Sequence, residues 1–76
     1  MDNLIRVERA RKRISQQELA DALSVSRQTI MYMEANRYIP STLLSFRIAK
    51  YFGKLPHELF MLEDHEMSFK EPNPEK

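Results

Sequence analysis

The tightest constraint on the fold is a three-residue gap between two helical segments. Residues 16–23 and 27–35 carry apolar side chains at helical spacing, and only Ser24, Val25 and Ser26 separate them. So short a link cannot bring the chain back antiparallel with slack, but it can turn it through a steep angle. Apolar residues stand where two such crossed helices must touch: Leu19, Ala20, Leu23, Val25, Ile30 and Met33. The gap therefore predicts a helix-turn-helix arrangement.

Helical signals continue on both sides of this gap. "SQQE" at residues 15–18 matches a capping box, and Ser26 and Ser41 are N-cap residues that start two further helices. Asn36 and Gly53 are suited to ending helices, and Pro56 fits a first helical turn. The predicted helices cover residues 3–13, 16–23, 27–35, 42–52 and 56 to about 60. The fold class is therefore all-α with five helices.

The tail after residue 61 differs in composition from the rest of the chain. Residues 1–61 form the predicted helical domain, and residues 62–76 form a polar, acidic tail whose proline-containing end is expected to be disordered. Within residues 60–70, two short apolar arms flank "EDHE". This pattern leaves three possibilities open: a small hairpin, an extended arm or a flexible segment.

Charge is divided along the chain in the same way. The chain's net charge is +1, but residues 1–55 carry ten Lys and Arg against five Asp and Glu, whereas residues 56–76 carry two against six. A basic body suits a polyanionic partner. The absence of cysteine excludes disulfides and thiolate chemistry, and no apolar run is long enough to span a membrane. We therefore expect a soluble, cytoplasmic protein with no membrane partner.

The third helix has two chemically different faces. At about 100° per residue, Ile30 and Met33 fall on an inner stripe, and an outer face collects Arg27, Gln28, Met31 and Tyr32, with Thr29 at its flank. Arg and Gln can make paired hydrogen bonds to guanine and adenine edges. The pattern favours a surface that reads DNA, with an ordinary solvated helix face as the alternative.

The stretch "SQQELADALSVSRQTIMYMEANRYIPS" resembles the Xre family of regulators, which is related to the Cro and cI repressors. The resemblance continues through "LLSFRIAKYFG" and "HELF" and covers about residues 4–61. It implies a lambda-repressor-like DNA-binding domain whose third helix, starting at "SRQT", lies in the major groove. The implied function is a sequence-specific regulator of transcription, a repressor that binds a palindromic operator in double-stranded DNA as a homodimer.

The resemblance also implies roles for individual residues. Base edges would be read by Arg27, Gln28, Thr29 and Tyr32, and the DNA backbone would be contacted by Gln16, Ser26, Asn36, Arg37 and Tyr38. Arg9 and Glu34 occupy the positions of a structural ion pair. The dimer interface would use the apolar residues of the fifth helix and the tail: Leu55, Leu59, Phe60, Leu62, Met67 and Phe69. Ser24 and Asn36 stand where the family usually has glycine, and Glu8 stands where it usually has an apolar residue.

Other functions fit the sequence less well. The same fold could hold a protein instead of DNA, as an antitoxin or an adaptor does, although Arg27, Gln28 and the basic body favour DNA. His57 and His65 lie near acidic residues but are better explained as surface residues than as metal ligands. No glycine-rich phosphate loop or catalytic set is evident, so we expect no enzyme activity, no metal, no cofactor and no small-molecule site.

Overall fold

The computed structural model describes residues 1–68, which form six helices and one pair of short strands. The elements in chain order are β1 (Asp2–Asn3), α1 (Ile5–Lys12), α2 (Gln16–Leu23), α3 (Arg27–Glu34), α4 (Thr42–Tyr51), α5 (Pro56–Leu59), β2 (Phe60–Met61) and α6 (Asp64–Met67). The predicted helical class and the first five helices are confirmed. Residues 69–76, which include Phe69 and the tail end expected to be disordered, lie outside the described residues.

Three serine residues cap the N-terminal ends of helices, as the sequence predicts. The hydroxyl oxygens of Ser15, Ser26 and Ser41 each accept a hydrogen bond from the backbone amide three residues later. At Ser15 the capping box is complete, because the Glu18 carboxylate accepts from the Ser15 amide at 3.0 Å. Each cap satisfies an amide that the first helical turn leaves without a carbonyl partner.

Four helices end in the same backbone arrangement. In each, a residue in the left-handed region donates its amide to the carbonyl three residues earlier, and the next residue donates to the carbonyl five residues before it. This is the Schellman motif. The left-handed residues are Arg13, Ser24, Asn36 and Gly53, with φ values of 56°, 57°, 59° and 67°. Ser24 and Asn36 thus adopt the conformation for which glycine is usual.

The core lies where α2 and α3 cross and where α4 and α5 close over them. Ala20 is completely buried, in agreement with a crossing that leaves room for no larger side chain. The buried apolar residues are Ile5, Leu19, Ala20, Leu23, Ile30, Met33, Leu44, Ile48, Ala49, Phe52 and Leu59, with Ile14, Val25, Tyr51 and Phe60 packed against them. Glu8 is also buried, and its carboxylate lies 3.5 Å from the Arg11 guanidinium on the same helix.

The two ends of the helical domain are joined by a two-stranded sheet. β1 pairs antiparallel with β2, with Asn3 opposite Phe60 and Asp2 opposite Met61. The first helix begins at Ile5 rather than at residue 3, and of the three possibilities left open for residues 60–70, residues 60–61 form a short extended strand that pairs with the start of the chain. The Asn3 side chain accepts from the Ile5 amide at 3.1 Å, so α1 begins after it. Residues 60–61 find their pairing partner at the other end of the chain.

The described residues among those predicted for the dimer interface differ in burial. Leu59 is completely buried in the core, so its assignment to an exposed interface was wrong: α5 is a single turn that points Leu59 inward. Phe60 is half-buried against the same core. Leu55, Leu62 and Met67 are about half exposed or more, at 57%, 55% and 48%. Within residues 1–68, the helices are too short and too polar to cross a membrane.

Candidate nucleic-acid interface

The two faces of α3 have the burial that its sequence predicts. Ile30 and Met33 are completely buried, and Met33 lies in the last turn of the helix. Arg27, Gln28, Met31 and Tyr32 are exposed on the opposite side. The helix is thus held by its inner stripe, and its outer face is available for contact with a partner.

Two side chains on this outer face are already in contact with each other. The Gln28 amide donates a hydrogen bond to the Tyr32 hydroxyl at 2.9 Å, one helical turn further on. This contact restricts the orientation of the Gln28 side chain while leaving its carbonyl oxygen and one N–H for another partner. The first two turns of α3 therefore present a partly ordered polar surface.

Thr29 and Ser26 are used in the start of α3. The Ser26 hydroxyl oxygen accepts from the Thr29 amide at 3.1 Å, and the two hydroxyl groups lie 2.9 Å apart. Thr29 is half-buried, whereas Ser26 is exposed. Their polar atoms satisfy each other and the helix terminus, which leaves less hydrogen-bonding capacity for DNA than the sequence suggested.

The carboxylate of Glu34, at the end of α3, joins three helices. Arg9 on α1 donates from Nε to Oε2 at 2.8 Å and from Nη2 to Oε1 at 3.2 Å, which confirms the predicted ion pair. Gln16, at the start of α2, donates from Nε2 to Oε1 at 3.0 Å. The Glu34 side chain is completely buried beneath these donors.

The electrostatics of this junction keep Glu34 ionised. Burial raises the pKa of the Glu34 carboxyl, but the hydrogen bonds from Arg9 and Gln16 outweigh it and hold the pKa below its ordinary value. The same contact raises the pKa of the Arg9 guanidinium. Both groups are therefore charged at neutral pH, and the ion pair fixes the end of α3 against α1 and α2.

The loop after α3 carries the remaining residues predicted to contact the DNA backbone. Arg37 and Tyr38 are exposed, and the Arg37 amide donates to the Tyr32 carbonyl at 2.8 Å. The Asn36 side chain is engaged within the protein: its oxygen accepts from Asn3 at 3.1 Å, and its nitrogen donates to Asp2 at 3.3 Å. Asn36 thus anchors the loop to β1.

Asn3 is a residue of this region that the sequence did not single out. Its side-chain nitrogen donates to the Met33 carbonyl at 2.8 Å as well as to Asn36, so it holds the C-terminal end of α3. An asparagine just before a helix is common and carries no periodicity. Only the pairing of β1 with β2, which brings distant parts of the chain together, places Asn3 there.

The predicted DNA-contact residues lie along one continuous part of the chain. Gln16 starts α2, Arg27, Gln28 and Tyr32 follow on α3, and Arg37 and Tyr38 complete the series in the next loop. A shallow groove elsewhere shares none of these residues and is lined by Ala22, Leu23, Phe46, Arg47, Lys50 and Tyr51. Among residues 1–68, no group of three or more His, Asp or Glu side chains is placed to hold a metal ion.

Comparison with known proteins agrees with this arrangement. A family model described as "Helix-turn-helix" matches residues 5–60, which is most of the chain. The chain belongs to the helix-turn-helix family. This membership makes it a DNA-binding protein of the transcriptional regulator class, in a family that is not one of enzymes.

Similar proteins occur in archaea and in bacteria. An uncharacterized HTH-type transcriptional regulator of Methanocaldococcus jannaschii is 44% identical over 66 residues, which cover 87% of this chain and all of the relative. One from Methanothermobacter thermautotrophicus is 42% identical over 65 residues, 84% of this chain and 94% of the relative. YgzD of Bacillus subtilis is 38% identical over 64 residues, 84% and 97% of the two chains. The match therefore extends over nearly the whole length of each relative.

Proposed function

We propose that the protein is a sequence-specific repressor of transcription that binds a palindromic operator as a homodimer. The observation that carries the proposal is the outer face of α3, where Arg27, Gln28 and Tyr32 are exposed while Ile30 and Met33 are buried beneath them. In helix-turn-helix proteins the second helix of the motif enters the major groove. A polar, exposed face on that helix is the surface expected to meet base edges.

Arg27 and Gln28 supply the base contacts in this proposal. The guanidinium group of Arg27 can donate twice to a guanine, and the free carbonyl oxygen and N–H of Gln28 match the edge of an adenine. Tyr32 orients Gln28 through the 2.9 Å hydrogen bond and lies beside it on the groove side. Thr29, whose hydroxyl lies 2.9 Å from that of Ser26, would contribute its methyl group, which suits contact with a thymine methyl.

The backbone contacts come from the flanks of α3. Arg37 and Tyr38 are exposed in the following loop, and Gln16 retains one N–H beyond its bond to Glu34. Contacts of this kind fix the register of the protein on the duplex and are independent of sequence. Ser26 and Asn36 would act mainly by holding the ends of α3, because their side chains bond within the protein.

Dimerisation would place two α3 helices in successive major grooves. Leu55 just before α5, Leu62 just after β2 and Met67 at the end of α6 leave apolar side chains exposed. A two-fold interface there would match a palindrome whose half-sites lie about 10 base pairs apart. A dimer on such a site in the cytoplasm would repress transcription by excluding RNA polymerase.

The test is selection of bound duplexes from a random-sequence pool. We expect an enriched inverted repeat and binding that weakens steeply as salt rises, because phosphate contacts release counterions. An enriched single half-site would overturn the dimer and keep the DNA-binding function.

Met31 and Tyr32, each about 40% exposed, give the same face an apolar component that could bind a protein. No enrichment, together with tight binding to the product of a neighbouring gene, would favour an adaptor or antitoxin.

A further inference from the structure

We propose that Arg6 and Gln16 form a phosphate-binding site above Glu34 that takes one phosphodiester of duplex DNA. The inference rests on the proposed function and adds to it a residue, Arg6, that the family resemblance did not point to. Two guanidinium groups lie around one buried carboxylate, that of Glu34. Only one of them, Arg9, donates hydrogen bonds to that carboxylate.

Each of the three guanidinium nitrogens of Arg9 donates one hydrogen bond within the protein. Its Nε and Nη2 atoms donate to the two oxygens of Glu34, and its Nη1 donates to the Ile14 carbonyl at 2.9 Å. All three nitrogens of the group therefore have a partner, and the side chain is only 18% exposed. Arg9 neutralises Glu34 and has little left to offer an external anion.

Arg6 is in the opposite situation. Its Nε lies 3.6 Å from Oε1 of Glu34, which is an ion-pair distance and too long for a hydrogen bond. The side chain is 72% exposed, and within residues 1–68 it donates no hydrogen bond to the protein. A guanidinium group has five N–H donors in a planar fork, and this geometry matches two oxygens of a phosphate. Arg6 thus presents unused donors beside Glu34.

The charges of the junction leave room for one more anion. Glu34 contributes one negative charge, and Arg6 and Arg9 contribute one positive charge each, so the three side chains carry a net charge of +1. A phosphodiester carries one negative charge. Because Arg9 alone already balances Glu34, the surplus charge belongs to Arg6 and faces water.

Gln16 lies directly beside this surplus charge. Its Nε2 atom donates to the same Oε1 of Glu34 that Arg6 faces, at 3.0 Å, so the two side chains meet around a single oxygen. The second N–H of the Gln16 amide has no hydrogen-bond partner among residues 1–68. Glu34 therefore acts as a positioning residue, holding a cation and an amide donor next to each other for one phosphate.

A purely structural role for Arg6, in which it only shields Glu34, makes a different prediction. Shielding would affect the stability of the fold and leave the salt dependence of DNA binding unchanged. If Arg6 contacts a phosphate, removing its charge should lower that dependence by about 0.9 units of log K against log salt for each bound protomer. The salt slope, measured separately from stability, distinguishes the two.

The experiment compares Arg6→Gln with Arg11→Gln in the full chain. Arg11 is a matched control because it lies on the same helix, is 68% exposed and faces Glu8 rather than Glu34. Fluorescence anisotropy measures binding to two labelled duplexes at salt concentrations from about 50 to about 300 mM. One duplex is selected by the wild type from random sequence, and the other is a scrambled version of it. Thermal unfolding confirms that each variant is folded.

We expect Arg6→Gln to lower the salt slope by about one unit per protomer on both duplexes, Arg6→Lys to retain most of it, and Arg11→Gln to leave it unchanged. Equal slopes for Arg6→Gln and the wild type would overturn the site, as would equal losses for Arg6→Gln and Arg11→Gln. If the wild type bound both duplexes alike and Arg6→Gln lowered the slope, the phosphate site would stand and the sequence-specific function would fall. Absence of wild-type binding to either duplex would overturn both.

Discussion

Arg9 and Glu34 form a two-point ion pair between the first helix and the end of the third, with Nε–Oε2 at 2.8 Å and Nη2–Oε1 at 3.2 Å. The carboxylate is completely buried, and the Arg9 side chain is mostly buried. Gln16 adds a third contact from the start of α2. The position of α3 relative to the other two helices therefore depends on a polar junction as well as on the apolar core.

Removing the charge of Glu34 should destabilise the fold. In Glu34→Gln the guanidinium of Arg9 loses its counter-ion while remaining mostly buried, and breaking such a pair costs about 3 kcal/mol. Urea denaturation measures the change in the free energy of unfolding. Glu63→Gln is the control, because this exposed side chain should give less than about 0.5 kcal/mol. Similar losses in the two variants would contradict the central place of the ion pair.

The same carboxylate should make stability depend on pH at the acid end. Burial raises the pKa of Glu34, but the hydrogen bonds from Arg9 and Gln16 hold it below its ordinary value of 4.5. A group whose pKa is lowered by folding stabilises the protein above its unfolded pKa, and that contribution is lost as the pH falls through the folded value.

We therefore expect the stability difference between the wild type and Glu34→Gln to be constant from neutral pH to about 5, and to shrink below about 4.5. Urea midpoints measured at a series of pH values test this. Glu63→Gln again serves as the control, because this exposed side chain takes no part in the Arg9–Glu34 ion pair. If the stability difference between the wild type and Glu34→Gln stayed constant down to about pH 3, Glu34 would not be the titrating group.

Local chemistry explains which parts of the fold the sequence predicted. A serine cap, a capping box or a left-handed residue acts through neighbours within five positions, and so do the two faces of a helix such as α3. Ser15 with Glu18, and Ile30 with Met33, therefore have the contacts and burial that their spacing indicates. The face of α3 proposed to read DNA could be predicted from the sequence for the same reason.

The features that the sequence did not predict depend on residues far apart in the chain. β1 and β2 are two residues each, too short to show alternation, and they pair across more than fifty positions. Asn3 acquires its partners only through that pairing. Leu59 belongs to a one-turn helix, in which periodicity cannot decide between the core and a dimer interface.

Ser24 should carry strain that glycine would relieve. Its φ of 57° lies in the left-handed region, where a side chain costs of order 1–3 kcal/mol. Glycine removes that cost, but its more flexible unfolded chain lowers the free energy of unfolding by about 0.5–1 kcal/mol. The net effect of Ser24→Gly should be to stabilise the fold by about 1 kcal/mol. For a domain of this size the melting temperature should rise by about 4–8 °C. Ser24→Ala keeps the strain and should show no rise; a rise equal to that of glycine would disprove this account.

Asn3 should stabilise the end of α3 from outside the helix. Asn3→Ala removes hydrogen bonds to the Met33 carbonyl, to Asn36 and from the Ile5 amide, with an expected loss of about 1–2 kcal/mol in the free energy of unfolding. Hydrogen exchange at the Asn36 and Arg37 amides should become faster. Gln17→Ala, which removes one exposed side-chain bond to Asp21, is the control and should do neither. Unchanged exchange in Asn3→Ala would reject the anchoring role.

Base-reading and backbone residues should respond differently to substitution by alanine. Arg27→Ala or Gln28→Ala should reduce discrimination between the selected and scrambled duplexes by about 1–3 kcal/mol, since each removes one paired base contact. Arg37→Ala should weaken binding to both duplexes equally and reduce the salt slope by about one per protomer, because a phosphate contact carries no sequence information. All three side chains are exposed, so stability should change little. Retained discrimination in Arg27→Ala and Gln28→Ala would move base reading away from these residues, and a loss confined to the selected duplex in Arg37→Ala would move base reading into the loop.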